Sequence, residues 1–494
     1  MSSFIVSFDI GTGAGKAALF DEKGKTIAVC YEEWSYNPCP WGAKAGLVFD
    51  ADDFFARLAR QSCIFIEKSG IKAGDIAAVS VVSQRQGMVF IDKNGKELYS
   101  GPCVDLRGEE MLPEIIPYAD KIGEITGISP HGMYGPGRLL WFKKQRPEIL
   151  EKTQTILMLS DWFVWRLTGN TVSEISAASS SQFLSNTSRR WSEELISLFD
   201  LPRRIFPELI PAKRVAGKVT TEAALATGLP KDTPVFSAGG DTQAALAGMG
   251  VFKPGTIAAA AGSTTPVMLV SDTPQRFPGT DTVCHVDEGL WCVEANVKFT
   301  GVSVRWTREI IKPPEDGGGF EQIARLAGTV PIGGGITAYL GAEIAGEDAG
   351  QNYGGFLFPV PWNIYEITAA HLYRAALEST LFPVRANVEY LAEKSGTTAS
   401  DFWVCGGQTK SELFSQGMAD LLNRTVFVSG SEETSALGGA VSAAAGIGLY
   451  PDYQTAAQNM AADTRRYHPD TQRAGEYENA YLHWRNMRKH LRCF

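Results

Sequence analysis

The chain of 494 residues has no Cys-x-x-Cys pair, and its eight cysteines are scattered over positions 30, 39, 63, 103, 284, 292, 405 and 493. That spacing excludes a zinc ribbon or a dithiol redox motif. Cysteines such as Cys405, in Phe402-Trp403-Val404-Cys405, read as small core residues. The six histidines show no His-Glu-x-x-His and no paired spacing, so no protein-only metal site is expected. No apolar run approaches the roughly 20 residues of a membrane span. The start, Met1-Ser2-Ser3-Phe4-Ile5-Val6, enters a strand pattern without a basic leader, and the expectation is a cytoplasmic protein with no membrane partner. A dense Lys/Arg run is also missing, and the formal net charge is −9, so nucleic acid is not an expected partner. The late cluster Arg485, Arg488, Lys489 and Arg492 reads as a solvated helix face.

What is present is an ordinary globular composition, 44% hydrophobic and 20% charged, on a chain too long for one core. Ser3 to Ile10 reads as a strand, Gly11 to Gly15 as a tight turn, and Lys16 to Phe20 and Thr26 to Tyr31 as further strands. A helix with apolar Phe54, Phe55, Leu58 and Ile64 and a strand Ile76 to Val82 follow. The pattern returns after residue 250, with strands Thr256 to Ala261 and Pro266 to Val270 around a polar turn. Phe402 to Cys405 is then a strand, Gly406-Gly407 a turn, and Ser411 to Leu422 a helix. Two α/β units that each open on a hairpin predict a duplicated domain, divided near residue 245.

Four glycine-bearing turns carry the candidate chemistry. In Asp9-Ile10-Gly11-Thr12-Gly13-Ala14-Gly15-Lys16 the glycines let backbone N–H groups face a phosphate, Thr12 adds a hydroxyl, and Asp9 can hold Mg²⁺ directly or through water. This is not a P-loop: the spacing is one residue short, Ala17 stands in place of Ser/Thr, and a strand follows. In Gly239-Gly240-Asp241-Thr242-Gln243, Asp241 opens an Ala-rich helix. It reads both as an N-cap and as a general base, kept ionised by the helix N-terminus. Gly262-Ser263-Thr264-Thr265 suits phosphate, and Gly406-Gly407-Gln408-Thr409-Lys410-Ser411 suits a nucleoside. A fifth stretch, Ser83-Gln84-Arg85-Gln86-Gly87, with Asp105 and Arg107 beyond it, offers the donors and acceptors that a polyol needs. The plainer reading there is a structural ion pair between Arg85 and Asp105.

In this order the segments resemble the FGGY carbohydrate kinase family. Asp9-Ile10-Gly11-Thr12 matches its opening phosphate loop and Gly239-Gly240-Asp241 its catalytic signature. Arg138-Leu139-Leu140-Trp141-Phe142, Ser160-Asp161-Trp162, Gly301-Val302-Ser303-Val304-Arg305-Trp306 and Ala436-Leu437-Gly438-Gly439-Ala440 are similar to its phrases. The resemblance implies an α/β fold of two actin-like ATPase (ribonuclease H-like) domains around a central cleft. Residues 1–245 would bind the sugar and residues 246–494 would bind ATP. It implies ATP and Mg²⁺, with Asp241 as catalytic base and Asp9 and Asp241 toward the metal. Thr12, Gly13, Lys16, Gly262, Ser263 and Gly301 would meet phosphates, and Gly407 and Ser411 the nucleoside. Arg85, Gln86, Asp105, Asp241 and Gln243 would line the acceptor site. The two sets of phosphate turns lie in separate halves, so a hinge near Gly248 to Gly255 would bring them together.

The expected acceptor is a ketose, such as a pentulose, or a polyol. Gln86 stands where glycerol kinases carry Glu, and Gln84-Arg85 where xylulose kinases carry Met-His, which argues against glycerol and D-xylulose. Gly341-Ala342-Glu343-Ile344 departs from the family's Gly-Glu-Arg stretch. The phrases around Ser160, Phe299 and Arg85 are similar to the autoinducer-2 kinase branch, the alternative acceptor being its open-chain hydroxyketone. A rival of another class is an actin-like ATPase without a small-molecule acceptor; the polar trio Arg85, Gln86 and Asp105 speaks against it. A sugar-binding regulator without catalysis is opposed by Asp9 and Asp241. A homodimer is compatible with the sequence, which does not specify it.

Overall fold

A computed structural model describes residues 3–311, 319–347, 353–359, 366–398, 401–461 and 463–491. Arg492 and Cys493 lie outside them. The first half is built on strands β1 (Phe4–Ile10), β2 (Ala14–Phe20), β3 (Thr26–Glu33), β4 (Ile76–Ser83), β5 (Gly217–Lys218) and β6 (Pro234–Gly240), in the spatial order β5-β6-β4-β1-β2-β3. The first three strands form an antiparallel meander, and β4 and β6 add on parallel to β1. The second half repeats this with β7 (Ile257–Ala260), β8 (Pro266–Ser271), β9 (Asp281–Cys284), β10 (Trp291–Asn296), β11 (Asp401–Cys405), β12 (Thr425–Ser429) and β13 (Thr464–Tyr467), in the order β9-β10-β8-β7-β11-β12-β13. Here β7, β8 and β10 are the antiparallel meander, and β11 and β12 run parallel to β7. The fold is α/β, with two actin-like halves of the same topology.

Sheets with helices on both faces need strands that are apolar throughout. Ile5, Val6, Phe8 and Ile10 of β1 are all fully buried. Helix α1 (Ala51–Ser69) covers one face of the first sheet. It is capped by Asp50, whose carboxylate accepts from the Asp53 amide, and ends at Gly70 in the left-handed conformation. Its Phe54, Leu58 and Phe65 join Val6, Phe8 and Val79 in one core.

The other faces are covered by exchange. Helix α2 (Asp241–Gly248) is continuous with the first sheet, yet its Ala245 and Leu246 pack with Ala258, Met268 and Val270 of the second. Later helices include α3 (Gly301–Ile311), α4 (Ala369–Ser395), α5 (Glu412–Leu422) and α6 (Thr434–Gly446). Helix α6 belongs by sequence to the second half, yet its Ala436, Leu437 and Ala440 pack with Ile5, Ala18 and Phe20 of the first sheet. A residue divide at 245 therefore falls inside a helix that both halves share.

The exchanged helices cross in near backbone contact. A Cβ on Gly438 would lie 1.7 Å from the Ala244 carbonyl oxygen, and one on Gly248 2.0 Å from that of Thr434. On the sheet side, a Cβ on Gly439 would meet the Ser7 hydroxyl at 2.8 Å. Glycine is required here for approach.

Some sequence expectations change. The last helix, α7 (Thr471–Leu491), does not carry a purely solvated basic face. Arg488 is buried and donates to Glu347 and to the Ala342 carbonyl, while Arg485 reaches the same Glu347 at 2.5 Å. The first turn is also shorter than the glycine run suggests. Gly15 already lies in β2, where a Cβ would sit 2.3 Å from the Trp34 ring, so it serves packing and not a ligand.

Gly438→Ala is expected to destabilise the protein by about 1–3 kcal/mol, the usual cost of overpacking. The clash is with backbone, which cannot swing aside as a side chain can. Urea melts of the two proteins check this, and a variant as stable as the parent would show that the crossing is loose.

Candidate active site between the two halves

Three parallel strands of the first sheet end side by side, and their carboxyl ends supply the polar residues, the usual location for ligands in such sheets. At the end of β1, the amide of Gly11 donates to the Ala14 carbonyl at 2.9 Å and closes the turn. The Thr12 carbonyl accepts from Tyr36 and Trp34, and the Gly13 carbonyl from the Trp34 amide. A Cβ on Gly13 would meet nothing within 4 Å, so the turn borders open space. Behind it stands Gln84, to which the sequence reading gave no role of its own. Its amide nitrogen donates to the Gly11 carbonyl and to Tyr36, and its oxygen accepts from the Cys103 amide.

Asp9 and Lys16 face each other across the β1–β2 ladder. Lys16 pairs with Glu433, just before α6, at 2.6 Å. Asp9 is short of partners: its Oδ1 is buried without a hydrogen bond. Burial pushes its pKa up to about 7; Lys16 pulls the other way, and Asp241 and Glu433 add to the rise. Burial pulls Lys16 down, but Asp9 and Glu433 outweigh it and hold the ammonium above its ordinary pKa.

Asp241 opens α2, but it is not the cap. Gly240 holds that position, and Asp241 Oδ1 accepts from the amide and hydroxyl of Thr242. Nor does the helix terminus alone set its charge state, because burial pushes its pKa up, against Arg85 and Thr242. The turn is held from beneath by buried acids. Asp161 accepts from Ser237 and Ser173, and Glu174 from Ser176 and the Ala177 amide. Gln243 is wholly buried, donates to the Ser176 carbonyl at 3.3 Å, and leaves its own oxygen unpartnered.

The acceptor-side residues part company. Arg85 does not pair with Asp105. It lies against Gly240, where a Cβ would be 2.7 Å from its Cγ, and makes a two-pronged bond to Glu294 on β10, at 2.6 and 2.9 Å. Asp105 is fully buried and saturated by Tyr99, the Arg107 guanidinium and the amides of Leu47 and Arg107. It therefore fixes its loop and does not line the cleft, a correction to the sequence reading. Arg107 lies within 4.6–5.6 Å of the rings of Trp41, Tyr99, Trp141 and Phe142. Gln86 has φ 62°, a left-handed conformation that costs a non-glycine residue energy. Its carbonyl is held by Arg138, which also binds the carbonyls of Pro102, Cys103 and Asp105. In the sequence Arg138 shows as a cation opening the apolar run Leu139–Phe142, within a family-like phrase that gave it no role.

In the second half, Gln408 ties the turns together. Its side chain donates to the Gly262 carbonyl and to the hydroxyls of Thr265 and Thr300. A Cβ on Gly301, the first residue of α3, would lie 2.3 Å from the Gly262 carbonyl, and the Val302 amide donates to the Ser263 carbonyl. Gly407 borders open space, while Ser411 is occupied as the cap of α5.

Family models for the N-terminal and C-terminal domains of the FGGY family of carbohydrate kinases match residues 4–248 and 257–447. The chain belongs to this family. It is 31% identical over 440 residues to YoaC of Bacillus subtilis (strain 168), a protein named as a sugar kinase, with 88% of each chain covered. It is 27% identical over 494 residues to an autoinducer-2 kinase of Yersinia enterocolitica, covering 97% of this chain and 93% of that one. In fold it is similar to a gluconate kinase from Lactobacillus acidophilus, with TM-score 0.87, 20% identity and 100% and 99% of the chains covered. A xylulose kinase from Rhodospirillum rubrum gives TM-score 0.85, 23% identity and 99% coverage of each. The protein is thus a carbohydrate kinase, a phosphotransferase from ATP to an alcohol group.

The donor set fits a Mg²⁺ ion that keeps most of its waters. No cluster of three or more His, Cys, Asp or Glu side chains among the described residues could cage a metal. Magnesium characteristically takes one or two carboxylates plus phosphates, and Asp9 offers a buried oxygen without a partner.

Asp9→Asn should be more stable than the parent at high pH in the absence of divalent cations. A raised carboxyl pKa means that the folded protein keeps a proton the unfolded chain has released, so stability falls as pH rises from about 4 through about 7. The asparagine cannot ionise and escapes that loss. Chemical melts should show an advantage of roughly 2–4 kcal/mol at pH 8 that shrinks toward pH 4; no advantage at pH 8 would mean that Asp9 is neutralised otherwise.

Proposed function

We propose that this FGGY kinase transfers the γ-phosphoryl group of Mg·ATP to a hydroxyl of a ketose or polyol, with Asp241 as general base. The observation that carries this reading is the position of Asp241: half-buried at the start of α2, directly after the Gly239-Gly240 turn on which Arg85 packs. A base there can orient the acceptor hydroxyl and take its proton as it attacks, while phosphoryl transfer otherwise needs positioning and charge neutralisation. A raised pKa suits a group that must hold a proton briefly.

On this reading Thr12, Gly13 and Lys16 meet the phosphates from the first half, and Gly262, Ser263 and Gly301 from the second. Gly407 and Ser411 border the nucleoside. Asp9 and Asp241 would hold a magnesium ion, which supplies charge neutralisation at the phosphates. Arg85, Gln86 and Gln243 serve the acceptor. No helix among the described residues is long and apolar enough to cross a membrane; work in the cytoplasm, where ATP is made available, suits such a kinase. The similarity to autoinducer-2 kinases over 97% of the chain supports a second reading, in which the acceptor is a short open-chain hydroxyketone.

Coupled ADP release over a panel of pentuloses, hexuloses, polyols and the open-chain hydroxyketone separates the two. Asp241→Asn should lower kcat on the best acceptor by about 10²-fold or more, the range of general base catalysis, with ATP still bound. Near-parental turnover would leave Asp241 as a structural residue only.

A further inference from the structure

The second sheet reaches into the acceptor region of the first half. Asp281 on β9 and Glu294 on β10 are direct cross-strand partners, an arrangement in which like charges normally repel. Both are engaged by the first half: Glu294 holds Arg85, and Asp281 accepts from Tyr134 at 3.0 Å and from the Ser129 amide. Asn296 adds a bond to Glu294. Two carboxylates of the second half thus share one guanidinium as neighbour, and the Tyr134 hydroxyl is neutral.

We propose that Asp281 and Glu294, contributed by the second half, are specificity-determining residues that restrict the acceptor to uncharged polyhydroxyl compounds and reject sugar acids. This rests on the kinase reading above and narrows its substrate class. Glu294 uses two of the five guanidinium donors of Arg85. The rest can bind a hydroxyl or carbonyl oxygen, but the cation is already neutralised and has no charge left for an acceptor carboxylate. Asp281 and Glu294 together bring two negative charges to one positive. An aldonate would enter a buried site of its own sign, where low dielectric magnifies the repulsion. A ketose of equal length meets only hydrogen-bonding groups. Glu294 thus acts through Arg85, as a positioning residue.

The test is coupled ADP release by the full-length enzyme with four- to six-carbon ketoses and the matching aldonates, gluconate among them. The parent should favour its best ketose over its best aldonate by 100-fold or more in kcat/KM. Glu294→Gln, which keeps the shape and removes the charge, should narrow that ratio by about tenfold, chiefly through acceptor KM, and Asp281→Asn should move it the same way. A parent that prefers aldonates, or variants that slow both acceptor classes by one common factor, would overturn the inference and leave the kinase reading standing. If one variant fails to fold, the parent's preference and the other variant still decide. A panel extended to polyols in which no ketose, polyol or aldonate stimulates ADP release would overturn the proposed function, and this inference with it.

Discussion

The crossing of α2 and α6 is the constraint from which the rest follows. Each helix is encoded in one half and packed on the sheet of the other, so neither sheet completes its core alone. The approach at Gly438–Ala244 and Gly248–Thr434 leaves no room for side chains, and it fixes the distance between the sheets. Because α2 begins at Asp241 and α6 follows directly on Glu433, the contact that joins the halves also places a carboxylate and the partner of Lys16 at the seam. Glycine in a helix interior usually weakens it. Here Thr434–Gly446 gives up propensity at Gly438 and Gly439 for close contact.

A site built at such a seam is electrostatically costly. Asp9, Asp241 and Asp281 are half-buried and pushed toward the neutral form by desolvation, and Asp9 has an oxygen without any partner. Buried polar groups are ordinarily satisfied. An exception among carboxylates at the ends of parallel strands marks a place where stability is given up for a ligand that brings positive charge or donors. The acids beneath the Gly239-Gly240-Asp241 turn, Asp161 and Glu174, differ in kind. They too are raised, to about 6 and about 7, yet serine hydroxyls and backbone amides meet them. They stiffen the turn without facing it.

The duplication was legible in the sequence because strand–turn–strand patterns recur, and β1, β2, β7, β8 and β11 fall within a few residues of where periodicity places them. The glycine turns were legible as turns, but their individual glycines were not. Gly13 and Gly407 border open space, whereas Gly15 and Gly301 are glycines because Trp34 and the Gly262 carbonyl lie against them, a distinction that needs the third dimension. Asp105 looked like a sugar ligand because it sits near Arg85 in the chain. Its commitment to Tyr99 and Arg107 depends on an aromatic box drawn from Trp41, Tyr99, Trp141 and Phe142, four positions with no common spacing. Gln84, Arg138 and Gln408 went unassigned for a related reason: each acts on backbone carbonyls, which have no sequence identity.

Glu294 was the hardest to see, and the reason is physical. Its partner Arg85 lies 209 residues away, in the other half, and the pair exists only when the two sheets face each other. One turn of its network, Asp281 opposite Glu294, would be unfavourable in an isolated second half, since two adjacent carboxylates on an edge hairpin repel. Arg85 and Tyr134 relieve that repulsion by docking, so residues of the proposed acceptor site help hold the halves together before any acceptor arrives. A compound that takes donors from Arg85 competes within the same network, and acceptor binding is thereby coupled to the relation between the halves. The proposed acceptor recognition and the association of the halves share the same atoms in this kinase.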